Sequence, residues 1–285
     1  MLLQQTINGI MVGSVYALIA LGLTMEFGIM NIPNFAQGVL YTTGAYLTFT
    51  IAVSLGINYW IAIICTILAL AIIGAIMYRL VYYPLVKAPV LNSFIAAIGL
   101  VFLFKASIQL LWGTEFKRFP SINDTILNIM GTVITTQRIL IIVITVALII
   151  LLNLFIKKTI AGATIEALAQ DREGALLVGI NVCRVETMVF ALGSAFAGVA
   201  AALLSPLFLV YNTMGDYVIL KAFVIIILGG MGSIPGAIIG GYIIGLVESL
   251  SGAYLSTDYS EIIAFGILIS VLAFKPTGIL KSNSN

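Results

Sequence analysis

Three of the ionisable side chains within apolar stretches of the sequence are candidates for a functional site, because an uncompensated charge there is costly. Glu26 lies near the end of the first stretch, and Glu248 lies near the end of a glycine-rich block that also contains Lys221. Groups of this kind can bind a proton or an ion. The alternatives are that Glu26 lies at a membrane interface and that Lys221 extends its ammonium group to the surface.

Uncharged polar side chains form a second group, and they suit a passage for a small solute because weak contacts allow rapid release. Several lie in the segment 28–38, which places Pro33 between two apolar runs. A non-helical backbone segment inside the membrane needs hydrogen bonds from protein or water. An ordinary turn between two helices explains the segment equally well. The residues that we predict to line a substrate path are Asn8, Asn31, Asn34, Gln37 and Thr42.

Catalytic and nucleotide-binding patterns are missing from the sequence. There is no histidine, and Cys65 and Cys183 are far apart, so neither a zinc site nor a histidine-based catalytic centre is expected. The chain also lacks the Gly-x-x-x-x-Gly-Lys-Ser/Thr phosphate loop. We therefore predict no metal, no cofactor bound by this chain and no enzymatic activity of its own.

The composition identifies the class of protein. Of the 285 residues, 61% are hydrophobic and only 8% are charged, and the mean hydropathy is +1.18, which leaves too little polar surface to cover a water-soluble globule. The net charge is only +2, from 13 basic and 11 acidic residues, and it gives no reason to expect nucleic-acid binding. We predict an all-α polytopic integral membrane protein in which residues 1–285 form a single domain within the lipid bilayer.

The apolar runs have the length of membrane-crossing helices, which need about 20 residues. The glycine-rich block, residues 217–251, remains between two of these runs and either crosses twice as short pieces or re-enters the membrane. The sequence thus predicts about eight to nine helical crossings. The seven clear runs lie near residues 7–28, 38–55, 59–78, 93–112, 138–156, 187–210 and 261–274.

The basic residues predict the orientation. Arg79 and Lys87 flank one loop, four more basic residues lie in the segment 157–186, and Lys275 and Lys281 follow the last run. By the positive-inside rule these three segments face the cytoplasm. The N-terminus is then outside and the C-terminus is cytoplasmic.

The segment 157–186 is the longest charged stretch and is predicted to contain a short helix. Thr164 can cap that helix, and Gly174 and Gly179 can end or interrupt it. A short helix with small side chains at the cytoplasmic surface can dock into a groove of a soluble partner. A solvated loop on the lipid surface is an equal alternative.

Seven glycines and one proline lie within residues 227–245. The glycines repeat at small-x-x-x-small spacing, which lets helices approach closely in lipid. Tight helix packing is therefore one interpretation, and a hinge or a break that lines a pore is the other. The residues predicted to form this hinge or break are Gly229, Gly230, Gly232, Pro235 and Gly236.

Several longer stretches carry a likeness to one family, nearly from end to end of the chain. They are Phe27-Gly28 through Asn34-Phe-Ala-Gln-Gly38 with Gly44-Ala-Tyr46, Glu166-Ala-Leu-Ala-Gln-Asp171 with Gly179-Ile-Asn181, Lys221-Ala-Phe223, Leu228-Gly-Gly-Met-Gly-Ser-Ile-Pro-Gly236, and Ala253-Tyr-Leu-Ser-Thr257 with Lys275-Pro-Thr-Gly-Ile-Leu280. With these stretches the chain resembles the permease subunits of branched-chain amino-acid ABC importers of the Liv type, in particular the shorter of the two permeases.

The resemblance implies an ABC importer permease fold and a complex of two homologous permeases with two ATPase subunits. An extracytoplasmic binding protein would deliver leucine, isoleucine or valine, and the ATPase partners would bind ATP and Mg²⁺. The chain would lie in the inner (plasma) membrane of a bacterium or archaeon. The residues that would couple it to the ATPase are Glu166, Ala167, Asp171, Arg172 and Gly174.

Two departures from the family pattern bear on these expectations. Leu168 stands where a second alanine is usual, with the following glycine displaced, which affects the individual ATPase contacts. Gln37 stands where many relatives have histidine, which can alter the substrate preference. Two other functions stay open: the same architecture carrying urea, short amides or other amino acids, and a stand-alone secondary carrier or channel that uses Glu26 or Glu248.

Overall fold

The structure is a computed structural model that describes residues 2–30, 34–120, 126–129, 132–275 and 278–280. Six helices in this part of the chain are long and apolar enough to cross a membrane, judged by length and composition. They are Leu2–Met30, Tyr59–Leu85, Val90–Trp112, Thr136–Lys158, Val182–Leu204 and Ile234–Tyr254.

Helices make up most of the described chain. In chain order they are α1 (Leu2–Met30), α2 (Ala36–Phe49), α3 (Tyr59–Met77), α4 (Tyr83–Leu85), α5 (Val90–Trp112), α6 (Thr136–Lys158), α7 (Ile160–Gln170), α8 (Arg172–Leu177), α9 (Val182–Leu204), α10 (Met214–Gly229), α11 (Ile234–Tyr254) and α12 (Thr257–Phe274). A π-helical turn, Thr50–Ser54, extends α2, and a second, Tyr78–Tyr82, joins α3 to α4.

A short antiparallel hairpin between α5 and α6 departs from the predicted all-helical fold. Its strands are β1 (Ile126–Ile129) and β2 (Thr132–Thr135), and the four residues of β2 are all β-branched, which favours strand over helix. Nearby, the backbones of Lys117 and Val210 bond to each other in both directions at 2.9 Å. We call this end of the helix bundle the hairpin end.

Helix α1 lies at the centre of the bundle. Its most apolar window is 83% buried, whereas the corresponding window of α5 is 17% buried and faces outward. Along α1, glycines contact the backbone of antiparallel α11: a Cβ at Gly9 would lie 2.9 Å from Leu246 Cα, and one at Gly13 would lie 2.9 Å from Tyr242 Cα. Close backbone contact replaces side-chain interdigitation here, as small-residue spacing predicts.

The glycine-rich block forms two complete helices rather than one broken helix. Helix α10 has 16 residues and α11 has 21, and the short turn 230–233 joins them. One face of α11 packs on α10, where a Cβ at Gly240 would lie 2.8 Å from Ile225 O, and another packs on α1. The packing interpretation of the block is therefore confirmed, while the number of membrane crossings stays a prediction.

Polar side chains cap several helices and set boundaries that the sequence interpretation missed. Thr164 does not cap α7, because it lies inside that helix, and Thr159 is the cap, accepting from Gly162 N at 3.0 Å. Asn181 caps α9 by accepting from Arg184 N at 3.1 Å. The predicted run 187–210 therefore begins five residues earlier and ends at Leu204.

The opposite end of the bundle gathers α7, the end of α1 and the α10–α11 turn. A Cβ at Gly28 would lie 3.6 Å from Gly232 Cα. A cavity of about 330 Å³ there is lined by residues that include Ile29, Glu166 and Pro235. We call this the α7 end.

Candidate functional site

A cavity of about 650 Å³ lies at the hairpin end of the bundle. Helices α1, α2, α10 and α11, the end of α9 and the loop 205–213 form its wall. Apolar side chains and tyrosines cover most of that wall. Its lining residues are Val12, Val15, Tyr16, Tyr41, Leu204, Leu207, Phe208, Leu209, Tyr211, Met214, Tyr217, Val218, Lys221 and Glu248.

Lys221 and Glu248 are the charged residues in this wall, within the part of the chain that the structure describes, and they form an ion pair. Tyr16 completes a triangle with them: its hydroxyl donates to Glu248 Oε2 at 2.8 Å and accepts from Lys221 Nζ at 2.9 Å. Lys221 therefore does not extend its ammonium group to the membrane surface, and that alternative is wrong.

Tyr211 covers the cavity from the loop side. Burial is the main reason that the pKa of Tyr211 lies above its usual range, and nearby Tyr217 and Asp216 raise it further. The phenol therefore keeps its proton at neutral pH and can donate a hydrogen bond. Asp216 itself is paired with Lys105 on α5 at 2.6 Å, outside the cavity wall.

A tightly packed layer lies between the two cavities. Along α1, Val12 to Tyr16 line the cavity at the hairpin end and Thr24 to Ile29 line the one at the α7 end. Between them, a Cβ at Gly22 would lie 2.6 Å from Gln37 Nε2. That amide donates to Gly193 O on α9 at 2.7 Å. Because α1, α2 and α9 meet here with glycine at two of the contacts, no space remains for a solute.

Glu26 adjoins this layer and is buried in protein, with 1% of its surface exposed. Its Oε2 accepts from Asn34 Nδ2 at 2.8 Å, and Asn34 Oδ1 accepts from the Tyr82 hydroxyl at 2.9 Å. The hydrogen bonds connect α1, the start of α2 and the π-helical turn before α4. Glu26 is therefore enclosed by protein, and whether it lies at the depth of the membrane interface stays a prediction.

The predicted substrate-path residues lie elsewhere than the larger cavity. Asn31 lies outside the described residues. Asn8 accepts from Arg138, and Asn34 and Gln37 make the hydrogen bonds described above. Thr42 is buried, accepts from Gly215 N at 3.1 Å and donates to Gly38 O at 3.2 Å. None of the four described residues lines the cavity at the hairpin end, so their role in a substrate path stays a prediction.

The predicted coupling residues lie together at the α7 end, on α7 and α8. Helix α7 buries Ile165 and Leu168 against the bundle and leaves Glu166 exposed, with Ala167 half-buried. Asp171, not Gly174, interrupts the helical segment, because its carboxylate caps α8 by accepting from Glu173 N at 3.0 Å. Gly174 lies within α8.

Arg172 connects this surface segment to the interior. Its guanidinium pairs with Glu186 Oε1 on α9 at 3.1 Å, and Glu186 also accepts from the Tyr78 hydroxyl. The Glu186 side chain is 2% exposed, whereas that of Arg172 is 40% exposed. One buried carboxylate thus joins α8, α9 and the π-helical turn that follows α3.

The predicted hinge residues come together in the α10–α11 turn. Gly230 and Gly232 have φ values of +101° and +83°, which L side chains rarely adopt. Ser233 caps α11 by accepting from Gly236 N at 3.2 Å, and Pro235 lies in its first turn, where no backbone donor is needed. The backbones of Gly229 and Gly236 are in contact.

The C-terminal segment completes this turn. Ile279 N donates to Leu228 O at 2.8 Å and Leu280 N donates to Gly229 O at 3.2 Å. These bonds satisfy carbonyl groups at the end of α10 that have no partner within the helix. Residues 278–280 therefore lie beside the α10–α11 turn.

A family model describing the permease component of branched-chain amino acid transport systems matches residues 5–272. The chain belongs to this family. It is 38% identical to the high-affinity branched-chain amino acid transport system permease protein LivH of Escherichia coli (strain K12), with 98% of this chain and 95% of the relative covered. It is 36% identical to the corresponding protein BraD of Pseudomonas aeruginosa, with the same coverage.

Among solved structures, this permease is similar to PsaBC from Streptococcus pneumoniae in complex with Fab. The TM-score is 0.52 at 12% sequence identity, and the match covers 93% of this chain and 90% of that one. At this identity the likeness shows the fold alone. Together with the family match it confirms the predicted class, a helical membrane protein with an ABC importer permease fold.

Four residues of the permease networks were not among the predicted site residues: Tyr16, Tyr78, Tyr82 and Glu186. Tyr16 lies in an unbroken apolar run and Tyr78 lies near the end of another, so neither is distinguished from a tyrosine that only packs. Their hydrogen bonds to Glu248 and Glu186 span 232 and 108 residues of sequence. Only the chain's path through the bundle brings these partners together.

Proposed function

We propose that this permease is the membrane subunit of an ABC importer that passes branched-chain amino acids into the cell. The observation that carries the proposal is the match to relatives named as branched-chain amino acid permeases over 98% of the chain. The cavity at the hairpin end supports it, because apolar side chains dominate its wall and suit an aliphatic solute.

The orientation follows from the charges. Lys157, Lys158 and Arg184 accompany Arg172 at the α7 end, which by the positive-inside rule faces the cytoplasm. The larger cavity then opens toward the extracytoplasmic side, where a binding protein would deliver the amino acid. In this orientation the N-terminus is outside and the C-terminus is cytoplasmic, in the inner membrane of a bacterium or archaeon.

The partners of this permease would be a second homologous permease, two ATPase subunits and an extracytoplasmic binding protein. The segment α7–α8 is the proposed ATPase contact, through Glu166, Ala167, Asp171, Arg172 and Gly174. In support, Leu177 at the end of α8 is 89% exposed, and an apolar side chain on a segment outside the bundle suits burial in a partner. ATP and Mg²⁺ would be bound by the ATPases, and this chain would act without enzymatic activity.

Transport then requires that the closed layer at Gly22 and Gln37 separate while the outer cavity closes. ATP would favour one of the two arrangements by binding more strongly to the ATPases in that state. The α10–α11 turn lies between α7 and the C-terminal segment, and we propose that it moves between the two arrangements. Glu166 and Pro235 line the same small cavity there.

Replacing Gly230 or Gly232 by leucine is expected to reduce amino-acid uptake at least about tenfold, while the complex still assembles. A side chain in such a sparsely populated backbone conformation costs about 1–3 kcal/mol, and it biases the turn toward one conformation. Uptake per assembled complex in proteoliposomes is the measurement. Met231→Leu, between the two glycines and 52% exposed, is the matched control and should transport normally. Normal uptake by both glycine variants would contradict a moving turn.

The proposed function is tested by reconstituting the permease with its partner subunits in proteoliposomes loaded with ATP. With the binding protein outside, labelled leucine, isoleucine and valine should accumulate, and they should not when ATP is replaced by ADP. Urea and acetamide, added to the same vesicles, should not accumulate. Uptake of urea or acetamide in place of the amino acids would assign a different cargo, and uptake without any ATPase subunit would indicate a secondary carrier.

A further inference from the structure

The cavity at the hairpin end carries one positive and one negative group side by side, in a wall that is otherwise apolar or phenolic. Lys221 Nζ and the Glu248 carboxylate are paired, and both bond to the Tyr16 hydroxyl. Taking two charges out of water costs several kcal/mol per ion, and their mutual attraction seldom repays more than that. Two apolar side chains would therefore fill this position at a lower cost in free energy.

The ion pair is accessible from the cavity. The side chains of Lys221 and Glu248 are 18% and 24% exposed, unlike the fully enclosed Glu26, so a solute in the cavity can reach both charged groups. Val12 and Glu248 also line a second cavity of about 300 Å³. The carboxylate can therefore turn away from Lys221 without entering a packed wall.

We propose that Lys221, Glu248 and Tyr16 form a binding site for the zwitterionic head of an α-amino acid. The substrate's carboxylate binds Lys221 and the Tyr16 hydroxyl, and its ammonium group binds Glu248. The four charges then alternate in sign, so no charge in the cavity is left without a partner. The aliphatic side chain lies against Val12, Val15 and Met214, which line the same cavity. This binding site makes the proposed function more specific, and it depends on that function.

This arrangement favours a solute that carries both charges over one that carries a single charge. An ammonium group or a carboxylate alone would separate Lys221 from Glu248 and leave one of them unpaired in a wall that is otherwise apolar or phenolic. Leaving a buried charged group without its partner is more costly than losing the bond itself. The ion pair would thus reject simple amines and fatty acids that share the apolar side chain.

The test uses three probes that share one side chain: leucine, 3-methylbutylamine, which lacks the carboxylate, and 4-methylpentanoate, which lacks the ammonium group. Each is titrated at millimolar concentration against the complete permease–ATPase complex in nanodiscs without the binding protein. Saturation-transfer difference NMR of the methyl protons gives the half-saturating concentration. For the unmodified complex we expect leucine to bind at least about tenfold more tightly than either analogue, or about 1.4 kcal/mol.

Substitutions assign each charged group. In Lys221→Met the preference for leucine over 3-methylbutylamine should disappear while the preference over 4-methylpentanoate remains, and Glu248→Gln should show the reverse. The double variant Lys221→Met/Glu248→Gln leaves no unpaired charge and should bind all three probes alike. Lys105→Met/Asp216→Asn removes an ion pair outside the cavity wall and should keep the original preferences.

Either of two outcomes would overturn the site. One is that each variant weakens all three probes equally, which indicates a structural ion pair. The other is that leucine gives no saturable signal although the same complex takes up leucine in proteoliposomes with its binding protein. Failure of that uptake, in contrast, counts against the proposed function, so the two failures are distinguished.

Discussion

Replacing Gly245 by alanine is expected to destabilise the bundle, although alanine is the better helix former by about 1 kcal/mol. A Cβ at Gly245 would overlap the backbone N and Cα of Gly13 on α1. Overpacking costs about 1–3 kcal/mol where neighbours can adjust, and a backbone atom has no rotamer to change. We expect a cost at or above the top of that range, seen as a lower thermal denaturation temperature in detergent and less protein in the membrane.

Gly252 provides the matched control. It lies on the same helix seven residues later, about two turns away, and a Cβ there would meet no atom within 4 Å. Gly252→Ala should therefore leave the denaturation temperature unchanged or raise it slightly. Equal effects of the two substitutions would show that helix propensity, not contact with α1, decides the outcome.

Replacing Glu186 by glutamine is expected to uncouple ATP hydrolysis from amino-acid uptake. The change keeps the shape of the side chain but removes the charge that holds Arg172 of α8, and it alters the bond to Tyr78. If α7–α8 is the ATPase contact, this carboxylate is the direct link from that contact to α9 and the turn after α3. We expect uptake per ATP hydrolysed to fall at least about tenfold, within the usual range of coupling energies of about 1–3 kcal/mol.

Stability and coupling can be separated in the same variant. Breaking a buried pair costs about 3–5 kcal/mol, but Arg172 is 40% exposed and can regain water, so a smaller loss of stability is expected. Glu173→Gln is the control: it removes an exposed carboxylate from the first turn of α8 and should transport normally. Coupled transport by Glu186→Gln at the normal ratio of uptake to ATP hydrolysis would exclude this link.

The positions of most helices could be predicted from the sequence because the lipid core requires long apolar runs. The runs near 59–78, 93–112 and 138–156 agree with α3, α5 and α6 within three residues at each end. The prediction was less accurate where a polar capping residue determines the first residue of a helix. Asn181 starts α9 before its apolar run begins, and Thr159 starts α7 before the predicted cap. A pattern of apolar residues does not show which polar side chain forms the capping hydrogen bond.

For the candidate site, the sequence identified the charged residues but not their partners. The sequence singled out Lys221 and Glu248 as charges at membrane depth, and it gathered the glycines that prove to be helix contacts. It did not distinguish a lysine that reaches the surface from one that is held in an ion pair, because that depends on a carboxylate 27 residues away and a tyrosine 205 residues away.

The sequence alone determined that this is a helical membrane protein, where its apolar runs lie, and which charges must find partners, since burying a polar group without a partner is costly wherever it lies. Only the tertiary structure decided which partners those are. The packing of α1 against α9, α10 and α11 joins Tyr16 to Lys221 and Glu248 on one cavity wall and encloses Glu26 with Asn34. Such contacts depend on how helices far apart in sequence are brought together, and no local pattern encodes that geometry.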